Sequence, residues 1–153
     1  MATNVDNIML NNDMQFNTTQ SDILYMVLSN SQLASSITGE VRKANRVTYA
    51  APARKEDCII SSLSIEAGSV QLGTSHVNII VPDKTDCTAQ GNGTTYSEDG
   101  KRIKLLAGLA YDVLQKHYCE NGWSFTCVEQ DVIAEPTWQA HRIWFKIRFI
   151  FHN

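Results

Sequence analysis

The residues in this sequence best suited to chemistry are a cysteine, a histidine and an aspartate close together in the chain. Cys119, His117 and Asp112 are the residue types of a nucleophile, a base and an orienting carboxylate. Helical spacing, however, places His117 on an apolar stripe and turns Cys119 elsewhere. A nucleophile and its base normally come from separate elements that face each other. We therefore predict no catalytic residue among these three.

Metal and cofactor sites have equally little support. The chain has four cysteines but no C-x-x-C pair, so the closely spaced ligands of a zinc site are missing. The histidines His76, His141 and His152 have no partner at ligand spacing. Gly91-Asn92-Gly93 lacks the Lys-Ser/Thr of a phosphate-binding loop. We predict no metal and no cofactor, and interpret Cys58 and Cys127 as small buried residues of strands.

A basic and aromatic alternation near the C-terminus is the most suggestive pattern. Arg142, Lys146 and Arg148 alternate with apolar residues, and Trp144 shares their phase. Single-stranded nucleic-acid platforms combine these residue types on an exposed sheet face. The net charge of −3 argues against a general attraction to nucleic acid. The remaining interpretations are a solvated face or contact with an acidic neighbouring subunit, and we favour the neighbour.

The elements that position these residues are a long helix and the two strands after it. Ser97 can cap a helix that extends to about Cys119, with Glu98 and Asp99 in its first turn. The apolar stripe of this helix contains Ile103, Leu106, Ala107, Ala110, Val113, Leu114 and His117. Strand-like runs follow at Trp123–Ala134 and His141–Phe151, and the second alternates an apolar with a largely polar phase.

The earlier part of the chain predicts a short helix, a short strand or extended piece, and two more strands. The helix is expected at about Asp22–Ser29, the short piece at Glu40–Thr48, and the strands at Asp57–Glu66 and Val70–Val81, with a break at Gly73. A long loop is expected from Asp83 to Tyr96. The fold class predicted is α+β: an antiparallel sheet of about four strands with the long helix and the short N-terminal helix on one face.

One domain accounts for most of the chain. Residues 1–19 are predicted to be an extended N-terminal arm, and residues 20–153 a single α+β domain. No segment resembles a signal peptide, and no apolar run approaches the ~20 residues needed to cross a bilayer. We therefore predict that the protein does not contact a membrane and that it is made in a cytoplasm.

Apolar residues at outward positions predict a protein–protein interface. Leu105 and Leu109 lie one turn apart and off the core stripe of the long helix. Trp144 and Ile150 lie on the outer phase of the last strand. Such residues are usually covered by another part of the chain or by another molecule. The predicted interface consists of Leu105, Leu109, Trp144, Ile150, Arg142, Lys146 and Arg148.

Three sequence segments resemble a group of small tailed-phage proteins. They are Ile37-Thr-Gly-Glu-Val-Arg, Glu56-Asp-Cys-Ile-Ile-Ser-Ser-Leu and His76-Val-Asn-Ile-Ile-Val-Pro-Asp. A Gly-rich loop, one long helix, an acidic-Pro turn and a final alternating strand follow in the same order. After about Gln20 the chain is similar to the tail-terminator or tail-completion family, whose α+β fold also serves in head–tail connector and neck rings. The resemblance implies a phage source, for which crAss-like gut phages are the expected example.

The resemblance implies a structural protein of the virion with no enzymatic activity. Such a protein forms a homo-oligomeric ring at the phage neck or tail, and joins portal or capsid to the tail or terminates the tail tube. Its expected partners are further copies of itself and neighbouring neck, portal or tail proteins. DNA could pass through the channel without sequence-specific binding. Two alternatives stay open: a small cytoplasmic enzyme using Cys119 or the strand carboxylates, and a single-stranded nucleic-acid-binding module on the same scaffold.

Overall fold

The computed structural model describes residues 16–43, 53–68, 70–86, 95–119 and 122–152. The helices are α1 (Asn17–Ser29), α2 (Gln32–Ser36) and α3 (Gly100–Leu114). The strands are β1 (Val41–Lys43), β2 (Cys58–Ser62), β3 (Val70–Pro82), β4 (Lys84–Asp86), β5 (Thr95–Ser97), β6 (Lys116–Cys119), β7 (Trp123–Glu135) and β8 (Ala140–His152). A short 3-10 turn at Pro136–Trp138 joins β7 to β8.

Six of these strands form one curled sheet in the order β1-β2-β3-β8-β7-β6. Strand β1 runs parallel to β2, whereas every other neighbouring pair is antiparallel. The long strands β3 and β8 pair along their whole length, from Val70–His152 to Pro82–Ala140. Strands β4 and β5 form a separate two-stranded sheet.

The predicted fold is therefore wrong in both its sheet and its helix. The sheet has six strands and is mixed, whereas about four antiparallel strands were expected. Strand β1 lies within the short strand or extended piece expected at Glu40–Thr48, whereas β6, with four residues, was not expected as a strand. A segment as short as β6 shows no clear alternation, so hydrophobic periodicity does not identify it. The parallel direction of β1 depends on how the chain crosses the sheet, which the local sequence does not state.

Helix α3 is shorter at both ends than the helix predicted from Ser97 to Cys119. Ser97 belongs to β5, and the N-cap is Asp99, whose side chain accepts a hydrogen bond from the Arg102 amide at 3.3 Å. The helix ends at Leu114, and His117 lies in β6 rather than on the helical stripe. Pairing of β6 with β7 outweighs the helical pattern there, because it adds backbone hydrogen bonds and stacks the partly buried His117 ring on the buried Trp123.

The core lies between the helices and one face of the sheet, which we call the inner face. From α3 it takes Ile103, Leu106, Ala110 and Leu114, all on the predicted stripe. From β8 it takes every second residue: Ile143, Phe145, Ile147, Phe149 and Phe151. These residues are all buried, as the alternation of the last strand predicts. The opposite side of the sheet is the outer face.

Strand β3 continues through Gly73, where a break was expected. A Cβ atom at this position would lie 2.6 Å from Oε1 of Gln20 on α1. Gln20 is fully buried, accepts a hydrogen bond from Ser75 Oγ at 3.1 Å and donates to the Leu63 carbonyl at 3.1 Å. The glycine therefore admits the side chain that fastens α1 to the sheet, and does not interrupt the strand.

The predicted N-terminal arm and the predicted loop fall partly outside the described residues. Residues 1–15 of the arm and Gly91-Asn92-Gly93 of the loop are not described. The ends of that loop are strands β4 and β5, which pair from Lys84–Ser97 to Asp86–Thr95. The expectation of an unstructured loop from Asp83 to Tyr96 is therefore wrong at both ends.

Candidate assembly surface

Five predicted interface residues lie together on the outer face of β8. They are Arg142, Trp144, Lys146, Arg148 and Ile150, and they alternate with the buried residues of the same strand. All except Arg148 are partly buried. Because β8 lies between β3 and β7, these side chains form a stripe across the middle of the sheet.

Carboxylates from β7 pair with two of the three cations in this stripe. Arg142 Nε donates to Glu135 Oε1 at 2.9 Å, and Arg142 Nη1 donates to Asn78 Oδ1 at 2.8 Å. Lys146 Nζ lies 3.8 Å from Glu129 Oε1. Acidic and basic side chains therefore alternate across neighbouring strands, which lowers the positive potential that a nucleic-acid platform needs.

Trp144 is held by a histidine from the neighbouring strand. The rings of Trp144 and His76 are edge-to-face, with centroids 5.5 Å apart. Burial lowers the pKa of His76, and the nearby charges of Lys146 and Arg142 lower it further. The neutral histidine therefore completes a partly buried aromatic contact in the middle of the outer face.

The two ends of the outer face differ in how their apolar residues are covered. At one end, Ala53 and Trp138 pack over Ile59, Ile80 and Ala140. At the other end lies a group that we call the apolar row: Leu63, Leu72, Tyr118 and Ile150. Leu72 pairs directly with Ile150, and Ser124 lies between Ile150 and Tyr118 and pairs with both. The Leu63 amide donates to the carbonyl of Thr74, two residues along β3 from Leu72.

No described residue covers the apolar row as Ala53 and Trp138 cover the other end. Leu63 is 52% exposed, Leu72 42% and Tyr118 71%. Apolar side chains that adjoin one another on a surface are typical of contact sites with other molecules. Of the predicted interface residues, only Ile150 belongs to this row, and the sequence analysis missed the other three. Leu72 could have been found from the strand phase, because it lies opposite the buried residues of β3.

Of the two leucines predicted to lie on the outer flank of the long helix, one is exposed and the other packs against the core. Leu105 is 50% exposed on α3, whereas Leu109 is partly buried and packs against the main core. Leu105 is therefore available for a contact, and Leu109 contributes to the fold itself.

Two of the three segments that carry the phage resemblance, those that begin at Ile37 and at Glu56, contact each other. Glu56 is buried and accepts from Arg102 Nε at 2.6 Å, from Arg102 Nη2 at 2.7 Å and from the Thr38 amide at 3.1 Å. Arg102 Nη2 also donates to the Ser36 carbonyl. Asp57 accepts from the Glu40 amide at 2.8 Å.

Gly39 fits between these groups, since a Cβ atom there would lie 2.1 Å from Asp57 Oδ1. The two segments therefore have a structural role, which joins α2, β1, β2 and α3.

The residues considered for catalysis do not form a site. The His117 ring stacks on Trp123 and Phe125, with centroids 5.1 and 5.5 Å away. Asp112 is exposed on α3, and the Cys119 side chain lies outside the described residues. Burial raises the pKa of Cys58 to about 12, with a further contribution from Asp57, and burial also raises the pKa of Cys127. Both thiols are free and poorly suited to act as nucleophiles.

Tertiary structure also forms one histidine–carboxylate pair that the sequence analysis did not anticipate. His141 Nδ1 lies 2.6 Å from Asp83 Oδ1, and Nε2 lies 3.8 Å from Glu98 Oε2. Among the described residues no group of three or more His, Cys, Asp or Glu residues is arranged to hold a metal ion. An open cleft of about 410 Å³ between α1, α2 and β1 is lined by Tyr25, Ser29, Ala34, Gly39, Glu40 and Val41.

Two comparisons with known proteins found no match. No protein-family model matches the sequence, and no curated protein matches it significantly. Within the described part of the chain, no helix is both long and apolar enough to span a bilayer. The function is therefore inferred from the surface described above and from the resemblance of the three sequence segments to small tailed-phage proteins.

Proposed function

We propose that this protein is a structural component of a phage virion that assembles into a homo-oligomeric ring. The ring lies at the neck or tail end, where it joins portal or capsid to the tail or closes the tail tube. Its contacts are with further copies of itself and with neighbouring neck, portal or tail proteins. In this role the chain acts by binding and has no enzymatic activity.

The observation that carries this proposal is the apolar row on the outer face. Leu63, Leu72 and Tyr118 are well exposed, although the same sheet covers its other apolar end with its own chain. Exposed apolar groups of this kind favour a protein that functions in contact with other molecules. Leu105 on α3 adds a third exposed leucine, on the helical side of the molecule.

The charge pattern supports a protein partner over nucleic acid. Arg142 and Lys146 are already paired with Glu135 and Glu129, and Arg148 is the exposed one of the three predicted cations of β8. DNA passing through a ring would meet such a surface without sequence-specific recognition. The single-stranded nucleic-acid-binding module remains the second candidate, and Trp144 with Arg148 would be its contact residues.

The test is the mass of the purified full chain across a range of concentrations, with negative-stain electron microscopy of the same samples. We expect a discrete oligomer of three or more copies and annular particles. Light scattering gives the copy number without a shape assumption. A chain that stays monomeric up to the highest soluble concentration would contradict the proposal.

Two single substitutions locate the contacts. We expect Leu72→Asp and Leu105→Asp each to weaken assembly by about tenfold or more while the chain stays folded, because each buries a charge in an apolar contact. Lys104→Asp is the matched control on the exposed side of α3. Leu109 is left unchanged, since its packing against the core would confuse loss of assembly with loss of fold. Oligomers unaffected by both leucine substitutions would exclude these surfaces from the ring.

A further inference from the structure

The second half of β7 is an open edge of the sheet. Strand β6 pairs only with Trp123 to Thr126, and no described strand pairs with the same side of β7 beyond that point. On this free part, Val132 is 41% exposed. A long strand with one unpaired side offers backbone donors and acceptors to another strand.

Asp131 is the acidic residue of this edge that lacks a cationic partner among the described residues. On the outer face of β7 it lies between Glu129, which contacts Lys146, and Glu135, which contacts Arg142. Asp131 has no ion-pair partner among the described residues, and its carboxylate accepts a hydrogen bond only from the Val132 amide, at 2.7 Å. The edge therefore presents one acidic group that its own chain leaves without a cation.

The opposite edge of the sheet is basic. Strand β1 pairs with β2 on one side, and no described strand pairs with its other side. Its outer-face residue, Arg42, is half-exposed, with contacts of 3.5 Å to Glu40 and 3.6 Å to Asp57. Lys43 follows it and pairs with Asp22 at 2.8 Å.

The register of the sheet aligns the two edges residue by residue. One outer-face row of paired residues consists of Arg42, Ile59, Asn78, Trp144 and Asp131. One inner-face row consists of Val41, Cys58, Ile79, Ile143 and Val132. Each row begins on β1 and ends on β7. A second copy placed beside the first with no offset along the strands would set Arg42 against Asp131 and Val41 against Val132.

The strand directions also suit this arrangement. Directions alternate from β2 through β3 and β8 to β7, and β1 is parallel to β2, so β1 and β7 run in opposite directions. A copy that keeps the orientation of its neighbour therefore adds an antiparallel pair, the arrangement that can form the more stable hydrogen-bond ladder. Because the two edges are different surfaces, the contact is head-to-tail. Repeated contacts of this type form a ring when the rotation between copies closes, and an open filament when it does not.

We propose that copies of this chain join edge to edge, with β7 of one copy pairing with β1 of the next through Asp131–Arg42 and Val132–Val41. This inference rests on the proposed function, since it names the contact between subunits of the ring. Pairing of β7 with a second β7 is disfavoured, because it would bring the acidic rows of two copies together. The basic β1 edge is the complement that the chain itself supplies.

Disulfide trapping tests the register. Residues directly opposite in a strand pair have Cα atoms about 4.5–5.5 Å apart, within the range that a disulfide spans. Full-length chains carrying Arg42→Cys and Asp131→Cys, distinguished by a tag, are co-expressed and oxidised. We expect covalent dimers that contain one chain of each kind, and a ladder of multimers when one chain carries both substitutions.

The matched control is Glu135→Cys in place of Asp131→Cys. It lies on the same face of β7, about 13 Å further along the strand, and should give no dimer with Arg42→Cys. The unsubstituted chain measures any dimer formed by the native cysteines. Equal trapping at positions 131 and 135 would overturn the proposed register.

A charge reversal tests the same contact without a crosslink. We expect Asp131→Lys to weaken self-association by about tenfold or more, because it sets a cation against Arg42. Asp112→Lys, on the exposed side of α3, should leave association unchanged. Discrete oligomers that neither crosslink at 42–131 nor respond to Asp131→Lys would refute the edge contact and leave the ring proposal standing. Specific 42–131 crosslinks in open chains without rings would support the contact and contradict the ring.

Discussion

The two faces of β8 differ although they alternate along one strand. On the inner face, Phe145 and Phe149 are fully buried by residues of the same chain. On the outer face, Trp144 and Arg148 contact polar neighbours or solvent, and the apolar row beside them has no cover among the described residues. The inner face therefore forms the main apolar core of the fold, and the outer face is covered only in part by the same chain.

The largest expected difference in stability is between substitutions of two adjacent residues, one on each face of β8. Phe149→Ala removes a ring that contacts Phe125 and Phe151, with centroids 5.3 and 5.6 Å away, and should lower the free energy of unfolding by about 3–5 kcal/mol. Arg148→Ala should change it by no more than about 0.5 kcal/mol. Urea unfolding with unchanged m-values measures both. Similar losses for the two variants would show that the outer face also contributes to the stability of the single chain.

An intermediate effect should distinguish the ion pair inside the fold from the one on the outer face. Glu56 has a side chain that is 7% exposed and accepts two hydrogen bonds from Arg102, so Glu56→Ala should destabilise the chain by about 3 kcal/mol. Glu129 is largely exposed and its contact with Lys146 is 3.8 Å, so Glu129→Ala should cost less than about 1 kcal/mol. Thermal and urea unfolding of the two variants, measured side by side, provide the comparison. Equal costs would contradict a structural role for the Glu56 contacts.

The smallest effect concerns the pH dependence of the outer face. The pKa of His76 is lowered in the folded chain from its ordinary value of 6.5, first by burial and then by Lys146 and Arg142. Below pH 6.5 the unfolded chain takes up this proton more readily than the folded chain, so His76 makes stability fall as pH decreases. Its contribution is fully present above that pH.

The variant His76→Gln should lack this component, and Lys146→Met should make it shallower. Unfolding free energies measured between pH 7 and pH 5 test both expectations. A pH profile identical in the unsubstituted chain and in His76→Gln would contradict the lowered pKa.

Sequence patterns predicted the parts of the fold that depend on neighbours in the chain. The alternation from His141 to Phe151 identified both faces of β8, and helical spacing identified Ile103, Leu106, Ala110 and Leu114 as core. The burial of Cys58 is also confirmed. These predictions succeed because a periodic apolar pattern is visible wherever an element is long enough to repeat it.

The errors occur where contacts between distant residues decide the structure. Lys116 to Cys119 continue a helical pattern but pair with β7, so the edge strand β6 was not predicted. Strand β1 was expected as a short strand or extended piece, but its parallel pairing with β2 was not. The prediction of exposed apolar residues was incomplete for the same reason. Tyr118 joins the apolar row because β6 belongs to the sheet, and Leu63, the residue after β2, joins it because its amide donates to the Thr74 carbonyl of β3.

By itself, the sequence determined which residues of each long element face the core, because hydrophobic periodicity follows directly from backbone geometry. Only the tertiary structure decided that Glu56 meets Arg102 across 46 positions and that the sheet has six strands. The same is true of the rows that begin at Arg42 and end at Asp131. Strand order, direction and register arise from contacts between segments far apart in the chain, and local spacing carries no record of them.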